Sequence, residues 1–112
     1  MPYTFTREDV LEVLKGYEEV TRPLVEKGEW ASLALQAGNV EKMLDDYREE
    51  TGLRLGLGRG DWCDLGSHLG MVFDLGAKPN PDAKKIRATH NLCLGDIPEV
   101  RKIIESREPA PS

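Results

Sequence analysis

A chain of 112 residues, 39% hydrophobic and 31% charged, can bury one modest core and stay dissolved, so a single domain is expected. The 15 Lys and Arg against 20 Asp and Glu leave a net charge of −5, which argues against general binding to nucleic acid or anionic membranes, since both need a positive field. No apolar run approaches the roughly 20 residues that span a bilayer, the opening MPYTFTREDV lacks the order of a secretory signal, and two cysteines are too few for a disulfide framework; a reduced, cytoplasmic setting is expected.

In chain order, Thr6 reads as the N-cap of a first helix, with Asp9 as its capping-box partner. Val10, Leu14, Tyr17 and Val20 recur at helical spacing, and Val13 widens the stripe. Pro23 should kink or end this helix, and Gly28 is a second breaker. Trp30, Leu33, Ala34 and Ala37 form the next stripe. Gly38 stands where a helix C-cap wants glycine and Asn39 where an N-cap would follow. Val40, Met43, Leu44 and Tyr47 then line another helix, closed by Gly52. Residues 29–52 are therefore expected to form an antiparallel helical hairpin with a very short turn.

Beyond Gly52 the pattern changes. Leu53–Leu57 alternates and is too rich in glycine for a helix, so a short extended segment is expected. Leu65, Leu69, Val72 and Phe73 favour a helix over 62–75, with Gly66 and Gly70 allowing a neighbour to approach. Asn80 and Pro81 suit the start of the next helix and Asp82 suits its dipole. Gly95 should end it, and Asp96 with Glu99 should open a last helix carrying Ile97, Val100, Ile103 and Ile104. The Gly38 and Gly95 joints share one grammar: glycine, cap residue, then an apolar stripe. The expected fold is mainly α: residues 1–107 form a compact bundle of short helices and helical hairpins with a Gly-rich extended segment at about 53–60, and 108–112 a disordered tail. The alternative is α+β, with a small sheet from 53–57 and 71–75.

Four residues point at metal chemistry. Cys63, His68, His90 and Cys93 are all the cysteines and histidines of the chain. They form two close Cys/His pairs, and thiolate and imidazole are the ligands Zn²⁺ prefers. No other cofactor is called for. The competing account is chance: small buried thiols and half-exposed imidazoles that never meet. A second candidate is the loop of Gly56, Gly58 and Gly60, which could turn N–H groups towards a nucleotide or small anion. It lacks the sixth-position glycine of a dinucleotide fingerprint, because Asp61 stands there.

A third candidate is a partner surface. Asp45, Asp46, Glu49 and Glu50 crowd the C-terminal half of a helix, where the dipole is already negative. A basic partner would offset them. Trp62, Trp30 and Tyr47 are aromatic anchors in reserve. Lys84, Lys85 and Arg87 have no interleaved aromatic residues, so they read as a solvated helix face. Ser67 beside His68 does not make a triad, and no carboxylate pair is singled out for acid–base work. The expected function is thus non-catalytic: a protein–protein interaction or regulatory module of adaptor or inhibitor type, binding another protein or a second copy of itself. A small zinc-binding module and an anion-binding loop at Gly56–Gly60 are the alternatives.

Overall fold

The computed structural model describes residues 4–52 and 63–106. Four helices fill them: α1 (Arg7–Lys27), α2 (Trp30–Thr51), α3 (Cys63–Gly76) and α4 (Ala83–Ser106), with no strand among the described residues. The mainly-α expectation holds. The alternative sheet fails over 71–75, which belongs to α3. The extended reading of 53–60, its strand at 53–57 and the tail at 108–112 lie outside the described residues. No described helix is long and apolar enough to cross a membrane.

Each helix packs on two neighbours: α1 on α2, α2 on α3, α3 on α4 and α4 on α1. That ring is a four-helix bundle. Its direction alternates, because the end of α3 at Gly76 meets Trp30 and Ala34 at the start of α2. Likewise Thr4, just before α1, reaches Glu50 near the end of α2.

The core follows a strict alternation of three- and four-residue steps. In α2 it runs through Leu33, Ala37, Val40, Leu44, Tyr47 and Thr51. In α4 it runs through Ile86, His90, Cys93, Ile97, Val100 and Ile104. Leu65, Leu69 and Val72 do the same in α3. Such steps keep one seam facing the neighbours along the whole rod. In α1 the stripe is Val10, Leu14, Tyr17 and Thr21. Val20, expected in this stripe, is 55% exposed, and Val13 is exposed as well. Thr21 takes the place because its hydroxyl donates back to the Tyr17 carbonyl at 2.6 Å. Thr51 to Tyr47 at 2.6 Å and Thr89 to Lys85 at 2.8 Å use the same device, which hides a polar group inside an apolar stripe.

The helix ends are chemically explicit. Thr6 Oγ1 accepts from the Asp9 N–H at 3.0 Å, and Asp9 Oδ2 accepts from the Thr6 N–H at 3.1 Å, completing the expected capping box. At the other end of α1, Gly28 has φ +69°, its N–H donates to the Val25 carbonyl, and the Glu29 N–H donates to the Leu24 carbonyl. This is the Schellman pattern. Gly52, at φ +70°, donates to the Arg48 carbonyl at 2.9 Å and closes α2. α4 is capped by Asp82, which accepts from the Lys85 N–H at 3.2 Å. The cap was expected two residues earlier, at Asn80.

Two expected glycine breaks do not occur, nor does α1 end at Pro23. α2 runs unbroken through Gly38 and Asn39, so residues 29–52 are one helix rather than a hairpin. α4 runs unbroken through Gly95, Asp96 and Pro98. The bundle is therefore built from long rods, not short helices. The energy scale accounts for the second case. Interior glycine costs about 1 kcal/mol and proline about 3 kcal/mol. Burying Ile97, Val100 and Ile104 contributes about 4–9 kcal/mol by transfer free energy, and all three are buried. Pro98 is exposed, as is Pro23, which α1 also runs through.

Candidate functional site

Two glycines shape the outer seam between α2 and α3. Gly38 on α2 lies under the Phe73 ring of α3, and a Cβ there would stand 2.9 Å from Cδ1. Gly70 on α3 lies under Glu41 of α2, and a Cβ there would stand 2.9 Å from Oε2. The arrangement is reciprocal. In Gly38-x-x-Glu41 and Gly70-x-x-Phe73, the side chain three residues after each glycine fills the notch left by the other. Farther along, Gly76 brings the end of α3 against the α2 backbone, where a Cβ would stand 2.6 Å from the Trp30 carbonyl oxygen. Gly66, expected to admit a neighbour, has none within 4 Å of its Cβ position.

A groove of about 480 Å³ runs along α2 from this notch, lined by Gly38, Glu41, Asp45, Asp46, Arg48 and Glu49. Partial burial pushes the Glu41 carboxyl above its ordinary range, and repulsion from Asp45 and then Asp74 adds to it. Lys42 is engaged with Asp46 at 3.4 Å. None of the ion pairs among the described residues involves Glu41, Asp45 or Asp74. Phe73, expected in the core, is 42% exposed beside these carboxylates. An aromatic face next to uncompensated carboxylates suits a guanidinium or ammonium group.

The structure sorts the sequence candidates. Asp45, Asp46 and Glu49 share the groove wall. Glu50 does not join them: its carboxylate accepts from the Thr4 N–H at 2.7 Å and the Thr4 hydroxyl at 2.5 Å, tying down the segment before α1. Trp62 and the glycines Gly56, Gly58 and Gly60 lie outside the described residues. Tyr47 is fully buried and serves the core, not a partner. Trp30 is half-buried, with the Arg87 guanidinium 5.3 Å from its ring centre. Lys84 and Lys85 are exposed, as a solvated face should be.

The metal candidates lie on different seams. His68 Nδ1 pairs with Asp96 Oδ2 at 2.5 Å across α3 and α4. His90 turns to α1 instead, its ring centre 6.0 Å from that of Tyr17. Burial lowers the His90 pKa, and the nearby Glu18 charge only partly opposes this. Cys93 is a free, buried thiol pushed up to about 12 by burial and then by the Asp96 charge, whereas metal binding requires the thiolate. Among the described residues no three His, Cys, Asp or Glu side chains are placed to hold a metal ion. The side chain of Cys63 lies outside them. Glu41, Phe73 and Asp74 were not identified from the sequence. The matched Gly-x-x spacing in two helices was the available signal.

Comparison of the chain with known protein families, with curated proteins and with solved structures returns no match. What the groove can do therefore follows from its own chemistry.

Proposed function

We propose that this chain is a non-catalytic interaction module, of adaptor or inhibitor type, that receives a basic segment of another protein along the α2 groove, beside Phe73 and Asp74 of α3. The observation that supports this is the Glu41, Asp45 and Asp74 cluster. Burial first, and then repulsion from Asp45 and Asp74, raise the Glu41 carboxyl, and none of the three has an ion-pair partner among the described residues. A Lys or Arg from a partner relieves that repulsion, and the exposed Phe73 ring offers the cation a face. A cytoplasmic setting belongs to the same reading and suits the free thiol of Cys93.

A photo-crosslinker placed at Phe73 identifies the partner. The combined variant Glu41→Gln, Asp45→Asn, Asp74→Asn should keep or gain thermal stability, because it removes repulsion. It should nonetheless lose the crosslinked partner, as should wild-type protein at high salt. A strict monomer that crosslinks to nothing, or a partner retained in full by the triple variant, refutes the reading. Crosslinking only to a second copy would make the surface a self-association face.

A further inference from the structure

In its 21 residues α1 buries three apolar side chains, Val10, Leu14 and Tyr17, with Thr21 as the fourth member of its stripe. α3 buries as many apolar side chains, Leu65, Leu69 and Val72, in 14 residues. α2 buries eight side chains, of which only Thr51 is polar. Apolar area removed from water is what holds a helix to its neighbours, so α1 is lightly held for its length. The other seams also carry locks. Gly38, Gly70 and Gly76 seat α2 and α3 on one another, and the His68–Asp96 pair crosses α3 and α4. On the α1–α4 seam, Arg22 stays with Glu18 of its own helix. The Tyr17 hydroxyl and His90 Nδ1 are buried there without hydrogen-bond partners among the described residues, their ring centres 6.0 Å apart. Each keeps its desolvation penalty while the seam is closed and recovers water when it opens. A cleft of about 170 Å³ between Val25 of α1 and Leu94 of α4 leaves the packing of this seam incomplete.

The joint between α1 and α2 has a second arrangement within reach. Only Gly28 and Glu29 separate the two helices, Gly28 at φ +69° and Glu29 at φ −84° and ψ 71°. Glu29 makes no side-chain cap, so the first turn of α2 starts without that help for its N–H groups. With both residues at helical angles, those N–H groups would meet carbonyls of the last turn of α1, and one rod would run through both helices. That gain competes with the Schellman bonds that close α1. In the rod, the stripe of α1 turns away from its own bundle and faces another, so the two stripes need not be in phase.

We infer that α1 is a releasable arm, which opens from the other three helices about Gly28 and, at high concentration, is exchanged with the α1 of a second copy of this chain. The occupant follows from the groove that α1 leaves. An exchanged α1 brings the same Val10, Leu14 and Tyr17 to the same faces of α2 and α4, so no new complementarity is required. The tie from Thr4 to Glu50 re-forms between copies in the same way. The groove along α2 has no wall from α1, so this inference does not depend on the proposed function.

Two measurements on the full chain test it. The first is native-state hydrogen exchange, followed by NMR at a series of low urea concentrations. The amides of Leu14, Tyr17 and Thr21 should share one opening and exchange about tenfold or more faster than those of Leu44 and Ile97, which wait for global unfolding. In Val72→Ala, which weakens the core from α3, the Leu44 and Ile97 amides should speed up while the α1 amides keep their rate. The second is the state of Gly28→Ala, refolded at millimolar concentration and sized by chromatography with light scattering. The substitution strains the left-handed turn but not a continuous rod, so the dimer fraction should rise several-fold over wild type. In dimers mixed from differently labelled chains, the Tyr17–His90 ring contact should run between chains. The inference is overturned if the α1 amides exchange with the rest of the bundle in wild type and in Val72→Ala. It is equally overturned if Gly28→Ala stays monomeric, or dimerises with the Tyr17–His90 contact kept inside each chain.

Discussion

Gly28 and Gly52 end helices, whereas Gly38 and Gly95, which share with Gly28 the order glycine, polar residue, apolar residue, do not. The first two have φ of +69° and +70°, and no other described glycine has positive φ. The glycine itself does not separate the two pairs. The phase of the buried stripe separates Gly28 from Gly38 and Gly95. From Ala37 to Val40, and from Cys93 to Ile97, the steps are the three and four residues that keep one face buried. Across Gly28 the step from Leu24 to Trp30 is six residues, and no straight helix keeps both on one face. A glycine stops a helix when the neighbouring side chains have nothing to gain from its continuing.

Substitution at four glycines probes that contrast. The largest effect is expected at Gly76, where added bulk meets the Trp30 carbonyl and the Ala34 methyl. Gly76→Ala should cost about 1–3 kcal/mol through overpacking, read as a lower urea midpoint with unchanged slope. Gly28→Ala and Gly52→Ala force an L side chain into the left-handed region and should each cost about 1–2 kcal/mol. Gly95 has nothing within 4 Å of its Cβ position and sits inside a helix. Gly95→Ala should therefore gain about 0.5–1 kcal/mol. A loss there would mean that α4 does break at Gly95.

A smaller effect concerns the two histidine seams. His90 is charged less readily in the folded chain than in the unfolded one. Above the ordinary imidazole value of about 6.5 both states are neutral at this residue, and its contribution to stability is complete. As pH falls through that value, the unfolded chain takes up a proton that the folded chain refuses, and stability declines until the lower folded pKa is reached. The melting temperature should fall between about pH 7.5 and about pH 5.5, and His90→Gln should flatten that fall. An unchanged slope in the variant would assign the acid response elsewhere. His68, on the α3–α4 seam, instead pairs with the Asp96 carboxylate at 2.5 Å.

Much of the bundle was legible from residue order. The capping box at Thr6 and Asp9, the end at Gly52 and the buried stripes of α2 and α4 all follow from local chemistry. The misreadings share one cause. Glycine and cap-forming residues at 38–39 and 95–96 act as punctuation only locally, and burial that exists once neighbouring helices are present outweighs them. Asp96 shows this clearly. A residue suited to capping a helix instead lies within one and reaches across to His68. Val20 and Thr21 invert for a similar reason. An apolar residue was assigned to the core, but the hydroxyl that satisfies itself within the helix is the one that faces inward.

The candidate site was half legible. The acidic run marked Asp45, Asp46 and Glu49, while Glu50, next in line, points elsewhere because one step along a helix turns a side chain by about 100°. Phe73, over Gly38, and Asp74, whose charge acts on Glu41, stand beside the groove from another helix. Residue order by itself determined that this chain makes apolar-striped helices with particular ends, because caps and three-to-four spacing act within a few residues. Only the tertiary structure decided which glycines became notches, which carboxylates became neighbours and which histidine gained a partner. Those outcomes depend on distances between helices, and no local interaction along the chain encodes them.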